Sequence, residues 1–348
     1  MTISAEEPTK TVASADEQAA ELPFPSEETL HAIELAACEF IREAGKIVLE
    51  RYAGPLEIEY KDKQKRDPVT EADKAVEAHL TAAVAARFPE HRVLGEEGQD
   101  PEGEAEFEWI VDPIDGTINF INRLPFFAVS IGVLHRRRPI VGAILFPLND
   151  ELLHARHGGG ARRNGIAIQV HPATEPSGRV TSGMPPGYWF QFKTNKLARR
   201  KLGEARSLGS IAYEMGVVAT GGFGWAIFRG PKIWDVAGGI TIVREAGGVA
   251  LRYDKERKGW VPLDRFIAPL PKKPDAPRKL REWGAPVIVG SRAITEALAP
   301  HIAPRNSPLA LTGALAGYRG WRRWLPKKEA TKPPEEDVAP PGESSAEG

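Results

Sequence analysis

The sequence holds a single cysteine, Cys38, among 348 residues. One thiol excludes an internal disulfide framework and a cysteine-built zinc site. The eight histidines include no HExxH-type ligand spacing, so they are assigned no metal. No cysteine or serine stands in a convincing nucleophilic triad. No apolar run approaches the roughly 18 residues that mark a spanning helix. The opening residues, Ala5-Glu6-Glu7 among them, are polar and acidic with no apolar signal core. A cytoplasmic location without membrane attachment is therefore expected. Lys and Arg (46) balance Asp and Glu (47) to a formal net charge of -1. No global basic field argues for nucleic acid, and no nucleic-acid partner is expected. What is present is ordinary for a globular protein: 42% apolar residues and a length that suits one large domain or two joined lobes.

Taken in order, residues 1–25 read as a disordered arm rich in Glu, Ala, Ser, Thr and Pro. Residues 26–175 read as an α+β lobe. Ser26 suits an N-cap, and Leu30, Ile33, Ala37, Phe40, Ile41, Ala44, Ile47 and Val48 follow helical spacing as far as Gly54-Pro55. A second helix follows Thr70, and Arg92 to Leu94, Phe127 to Leu134, Ile140 to Phe146 and Leu152 to Arg156 read as strands, with Ile166 to Val170 returning after an Asn164-Gly165 hairpin signal. Arg136 to Pro139 reads as a solvated turn. Residues 176–305 read as an α/β lobe, with a helix over Gln191 to Leu202, a strand over Phe223 to Phe228 and a helix opening at Lys232. Tyr253 to Pro286 is charged and proline-rich and reads as surface excursions. Residues 306–348 form an extension, expected to be disordered from about 326, preceded by a basic-aromatic segment at Trp321–Trp324.

The chemistry concentrates in Trp109-Ile110-Val111-Asp112-Pro113-Ile114-Asp115-Gly116-Thr117-Ile118-Asn119-Phe120. An apolar run suited to a buried strand ends in two carboxylates three residues apart. Pro113 ends regular pairing after Asp112, and Gly116 permits a tight bend. Acids this close repel, so either one holds a proton or a cation sits between them. A hard divalent cation such as magnesium suits carboxylate oxygen. Capping of the next turn is the competing explanation. Three other stretches carry the same ambiguity. Thr70 with Asp73 has the form of a capping box. Gly95-Glu96-Glu97-Gly98 places adjacent acids in a loop. Asp235 falls in the first turn of its helix, where the dipole favours an anion. Gly209 and Ser210 mark a strand-to-helix passage whose backbone N–H groups suit an anion or a sugar hydroxyl, or simply cap a helix.

Together, Asp67-Pro68-Val69-Thr70-Glu71-Ala72-Asp73, Gly95-Glu96-Glu97, Trp109 to Phe120 and Trp234-Asp235-Val236-Ala237-Gly238 resemble the inositol monophosphatase family of magnesium-dependent, lithium-sensitive phosphomonoesterases. The resemblance covers roughly residues 30 to 300. It implies a layered αβαβα sandwich of the sugar-phosphatase type, two lobes with the metal site between them. It implies two to three Mg2+ ions held by Glu96, Asp112, the Ile114 carbonyl, Asp115 and Asp235. Asp73 and Thr117, with Glu96, would serve catalysis by orienting the attacking water. Gly116 and Thr117 would receive a phosphate oxygen, and Gly209, Ser210 and Lys232 would face the substrate. Inhibition by Li+ and a homodimer are implied as well.

The leaving group is less legible. Inositol-specific members carry an acid six positions before the Trp-Asp pair; here Phe228 stands in that place, and Lys232 replaces the usual histidine. Strict inositol phosphate specificity is therefore not expected. Lys232 could meet a second phosphate or a carboxylate, or stand solvated. The expected activity is hydrolysis of a small sugar, polyol or inositol-like phosphomonoester. Histidinol phosphate and 3'-phosphoadenosine 5'-phosphate are the alternatives, and a non-catalytic regulatory protein on this fold is the other class.

Overall fold

The computed structural model describes residues 23–60, 68–98, 105–269 and 279–305. Most of the expected arm, Asp67 of the first matching string and the Trp321–Trp324 extension lie outside the described residues. The first helix, α1 (Glu27–Ala53), begins where the Ser26 hydroxyl accepts the Thr29 N–H at 3.1 Å, with Glu27 and Glu28 complementing the helix dipole. Its stripe from Leu30 to Val48 is buried. A short antiparallel pair, β1 (Ile58–Tyr60) and β2 (Pro68–Thr70), leads into α2 (Glu71–Arg87).

The first large sheet has seven strands in chain order: β3 (Arg92–Gly95), β4 (Phe107–Asp115), β5 (Ala128–His135), β6 (Arg138–Phe146), β7 (Glu151–Arg156), β8 (Ala161–Arg163) and β9 (Ile166–Ala167). A short helix, α3 (Thr117–Ile121), sits between β4 and β5. Only β3 and β4 are parallel. Every residue of β5 is buried, because both faces of the sheet are covered.

The second half runs β10 (Thr181–Gly183), α4 (Tyr188–Gln191), β11 (Phe192–Thr194), α5 (Lys196–Arg199), β12 (Glu204–Arg206), α6 (Ile211–Ala219), β13 (Trp225–Phe228), α7 (Ile233–Glu245), β14 (Gly248–Asp254), β15 (Gly259–Pro262), β16 (Val287–Ser291), α8 (Arg292–Leu298) and β17 (Ile302–Pro304). Its six-stranded mixed sheet has the order β12-β10-β13-β16-β14-β15, and β11 pairs with β17 in a separate two-stranded sheet. The layers follow from the packing. α1 and α2 cover one face of the first sheet, α6 and α7 fill the space between the sheets, and α8 lies against the second sheet. The result is an αβαβα sandwich.

α7 lies directly on the first sheet because no side chain separates them. A Cβ on Gly142 would stand 2.1 Å from the Gly238 carbonyl oxygen, and one on Gly132 2.5 Å from the Ala237 carbonyl carbon. This contact fixes the height of the α7 N-terminus, and with it Asp235.

Several expectations are corrected. Gln191 to Leu202 is not one helix but α4, β11 and α5 in succession; the β-compatible Phe192-Lys193-Thr194 pairs with β17 and interrupts it. The returning strand stops at Ala167 rather than Val170. The described residues between Tyr253 and Pro286 are anchored rather than excursive: they include β15, and Leu263, Phe266, Leu280 and Trp283 are buried. Arg138 begins β6 and stacks on Phe24 with its guanidinium 3.8 Å from the ring centre, so only Arg136 and Arg137 form the turn, both at positive φ.

Candidate metal centre

In a regular strand, residues three apart point to opposite faces. Asp112 and Asp115 escape that rule. Asp112 pairs with Ser130 and Asp115 with Ala128, so three steps along β4 match two along β5. The irregularity falls at Pro113, which has no N–H to donate to a ladder. Pairing breaks at Pro113, as the sequence suggested, yet β4 continues to Asp115. The extra residue brings both acids to one side.

Asp235 joins them from α7. Oxygens of Asp112, Asp115 and Asp235 lie within 4.8 Å of one another. Asp235 also caps its own helix by accepting the Lys232 N–H at 2.8 Å, so capping and convergence hold at once. Asp115 accepts the Ser210 hydroxyl at 2.9 Å and the Ala212 N–H. Asp112 is 1% exposed, and its Oδ1 has no hydrogen-bond donor among the described residues.

Asp73 stands beside this group. It accepts the Thr70 N–H and hydroxyl at 2.7 and 2.6 Å. The Thr117 hydroxyl lies 3.1 Å from the Ile114 carbonyl and 3.4 Å from Asp73 Oδ1. Gly116 takes φ 95° where β4 turns into α3, and a Cβ there would meet the Phe126 carbonyl oxygen and Ser210 Cβ at 3.0 Å. Gly209 lies against Asn119. Glu96 is half-buried, and its charge reaches Asp73, Asp112, Asp115 and Asp235. Lys232 is exposed at the start of α7, and its charge favours ionised Asp235.

The electrostatics express the crowding. Burial, opposed by the Thr70 hydrogen bonds and reinforced by Glu96, pushes Asp73 up to about 6. Burial, opposed by the Ala212 N–H and Ser210 hydroxyl, pushes Asp115 up to about 7. Burial and then the charges of Glu96 and Asp115 hold Asp112 well above the carboxylate range, and burial and then Asp115 do the same for Asp235. Mutually repelling carboxylates, Asp112 buried and Asp115 and Asp235 half-buried, with an orphaned oxygen are a donor set for a hard cation, and magnesium fits it.

Two residues without an assigned role in the sequence reading hold the site's second wall. Asn119 donates from one amide to the Phe126 and Leu208 carbonyls at 2.6 and 2.7 Å. Glu214 accepts the Leu208 N–H at 2.7 Å, and burial pushes it up to about 7. The signal for Glu214 was an acid within the apolar run of α6. Glu245 lies at the other end of α7, where it accepts the Gly158 and Gly160 N–H groups.

The sequence model described as the inositol monophosphatase family matches residues 29–301. The protein named Nus factor SuhB of Escherichia coli K12 is 33% identical over 226 residues, covering 63% of this chain and 85% of that one. The crystal structure of extragenic suppressor protein suhB from Bartonella henselae has a TM-score of 0.62 at 27% identity, covering 78% of this chain and 98% of that one. An IMPase/NADP phosphatase complexed with Mg2+ and phosphate has a TM-score of 0.63 at 22% identity, covering 78% and 95%, and shares the fold.

Proposed function

The chain belongs to the inositol monophosphatase family, and we propose that it is a magnesium-dependent hydrolase of a small phosphomonoester. The observation that carries this reading is the convergence of Asp112, Asp115 and Asp235 within the field of Glu96 and beside Asp73. Glu96, Asp112, Asp115 and Asp235, with the Ile114 carbonyl, would hold two to three Mg2+ ions. When bound, magnesium supplies a more acidic water and neutralises charge on phosphate.

The chain's own groups do the rest. The Thr117 hydroxyl has one proton, held by the Ile114 carbonyl or Asp73, which leaves its oxygen to accept from an attacking water. Asp73, whose Oδ1 lies 3.4 Å from the Thr117 hydroxyl, would orient that water together with Thr117. The Gly116 and Thr117 N–H groups receive a phosphate oxygen. Gly209 flanks the substrate, and Ser210, whose hydroxyl is engaged by Asp115, holds that acid in place. Phosphoryl transfer asks mainly for positioning and charge neutralisation, so no side-chain nucleophile is required. Phe228 and Lys232 favour a phosphorylated sugar, polyol or anionic metabolite over strict inositol specificity. A homodimer, Li+ inhibition and a cytoplasmic location complete the reading; no described helix is long and apolar enough to cross a membrane.

The test is phosphate release from a panel of inositol, sugar, histidinol and phosphoadenosine phosphates, with and without Mg2+. Asp112→Asn should fold normally and lose about 10²- to 10³-fold in turnover, the scale for removing a group that stabilises transition-state charge. Full activity in that variant overturns the assignment. A second reading is favoured by the relative named Nus factor SuhB: a regulatory protein on this fold. Silence across the panel with Mg2+ bound would select it.

A further inference from the structure

Glu96 differs from the other acids of the site in its support. It sits in a loop, Gly95 to Gly98, with neither helix nor strand after Gly95. Backbone there has donors and acceptors that a ladder would otherwise satisfy. Two side chains from distant parts of the chain satisfy them instead. Glu77, a buried acid on α2, accepts the Glu97 N–H at 2.8 Å. It lies so close beneath the loop that a Cβ on Gly95 would stand 2.2 Å from its carboxyl carbon. From the other half of the chain, Arg281 donates to the carbonyls of Glu96 at 3.0 Å, Gly95 at 2.6 Å and Gly98 at 2.6 Å. The same guanidinium lies 5.2 Å from the ring centre of Trp234, the residue before Asp235. Arg281 is itself held between two buried anchors, Leu280 and Trp283, and Trp283 meets Phe266 edge-on at 4.7 Å.

We propose that Arg281 is a positioning residue for metal binding: it fastens the Glu96 loop to the Trp234–Asp235 end of α7 and so sets the spacing between acids from the two halves of the chain. This rests on the reading of Glu96 as a metal ligand. The loop carbonyls converge on one planar donor group, and a guanidinium can serve three acceptors in a fixed fork. A lysine ammonium reaches the same place with one nitrogen and loses that geometry. Glu77 holds the loop's N–H side while Arg281 holds its carbonyl side, so without Arg281 the loop stays attached to α2 but is released from α7. The metal site then loses registration between Glu96 and Asp235 while the cores persist.

The test uses the full chain and Mg2+ alone, titrated by calorimetry, beside thermal unfolding in chelator. Arg281→Met should weaken Mg2+ binding by about 10- to 100-fold, the range for partners that orient metal ligands, and Arg281→Lys should recover only part of it. The concentration of Mg2+ giving half-maximal phosphate release should rise in parallel. Unchanged Mg2+ affinity in folded Arg281→Met overturns the proposal, even if its melting temperature in chelator falls. If Arg281→Met does not fold, Arg281→Lys decides: affinity equal to wild type overturns it. Glu96→Gln separates the two levels. Wild-type affinity in that variant removes the ligand assignment itself, whereas loss there with none in the Arg281 variants removes only the fastening role.

Discussion

Ser210 shows how one hydroxyl serves two elements. Its oxygen donates to Asp115 at 2.9 Å and accepts the Tyr213 N–H at 3.1 Å, so it caps α6 and aims a carboxylate together. A hydroxyl has one donor and two acceptor sites, so both bonds are satisfied at once. Ser210→Ala should therefore cost about 0.5–2 kcal/mol of stability, the range for a lost N-cap, and should also weaken Mg2+ binding. Urea denaturation and calorimetry check the two effects separately; loss of stability with unaltered affinity would confine Ser210 to capping. At this scale the sequence was most readable where chemistry is local. Asp112, Asp115 and Gly116 are neighbours in one string, and Thr70 with Asp73 forms a short-range signature. Asn119 and Glu214 were unreadable in role because their partners, the Leu208 carbonyl and N–H, are set by folding. Nothing local to Ser210 shows that Asp115, 95 positions away, lies within hydrogen-bond reach of it.

Elements were legible where one periodicity dominated. α1 has a helical stripe, a capping serine and a closing Gly54, and its bounds follow from them. Between Gln191 and Leu202 the helix reading failed because a three-residue strand interrupts it to pair with Ile302–Pro304, a partner about a hundred residues on. The bulge in β4 was only half visible: Pro113 marked a break, while the continuation to Asp115 depends on β5. The element that decides the site is α7, seated on β6 through backbone contact. Gly142→Ala would place a methyl 2.1 Å from the Gly238 carbonyl oxygen, and no flexible side chain can yield there. The helix must lift, at about 1–3 kcal/mol by the usual cost of overpacking. Asp235 moves with it, so Mg2+ affinity should fall as well. Gly230→Ala is the control, since its methyl meets nothing within 4 Å and should change stability by less than about 0.5 kcal/mol. Equal stabilities for the two variants would refute the backbone contact.

Across the whole molecule the acids at the site set the balance between folding and pH. Asp73, at about 6, and Asp115 and Glu214, at about 7, sit above their ordinary values, each raised first by burial. A folded state with raised carboxyl pKa values binds more protons than the unfolded chain between about pH 4 and 7. Their contribution is complete below the unfolded values and is lost as pH rises through the folded ones. Glu34 acts in the opposite sense. Its bonds to His154 and Arg156, at 2.7 Å each, outweigh burial and hold its pKa below the usual range. That contribution is present above the unfolded value and fades only as pH falls through the lowered one. Between about pH 5 and 8, then, Glu34 gives a constant term and the site acids a declining one. Metal-free protein should lose melting temperature steadily over that interval. Saturating Mg2+ favours the ionised carboxylates and should reverse the trend, adding about 2.7 kcal/mol at a hundredfold excess over the dissociation constant. Scanning calorimetry in chelator and in Mg2+ at several pH values reads both slopes. A metal-free profile that is flat or rising, or a Mg2+ increment that does not grow with pH, would mean that the buried acids are not the groups the cation serves.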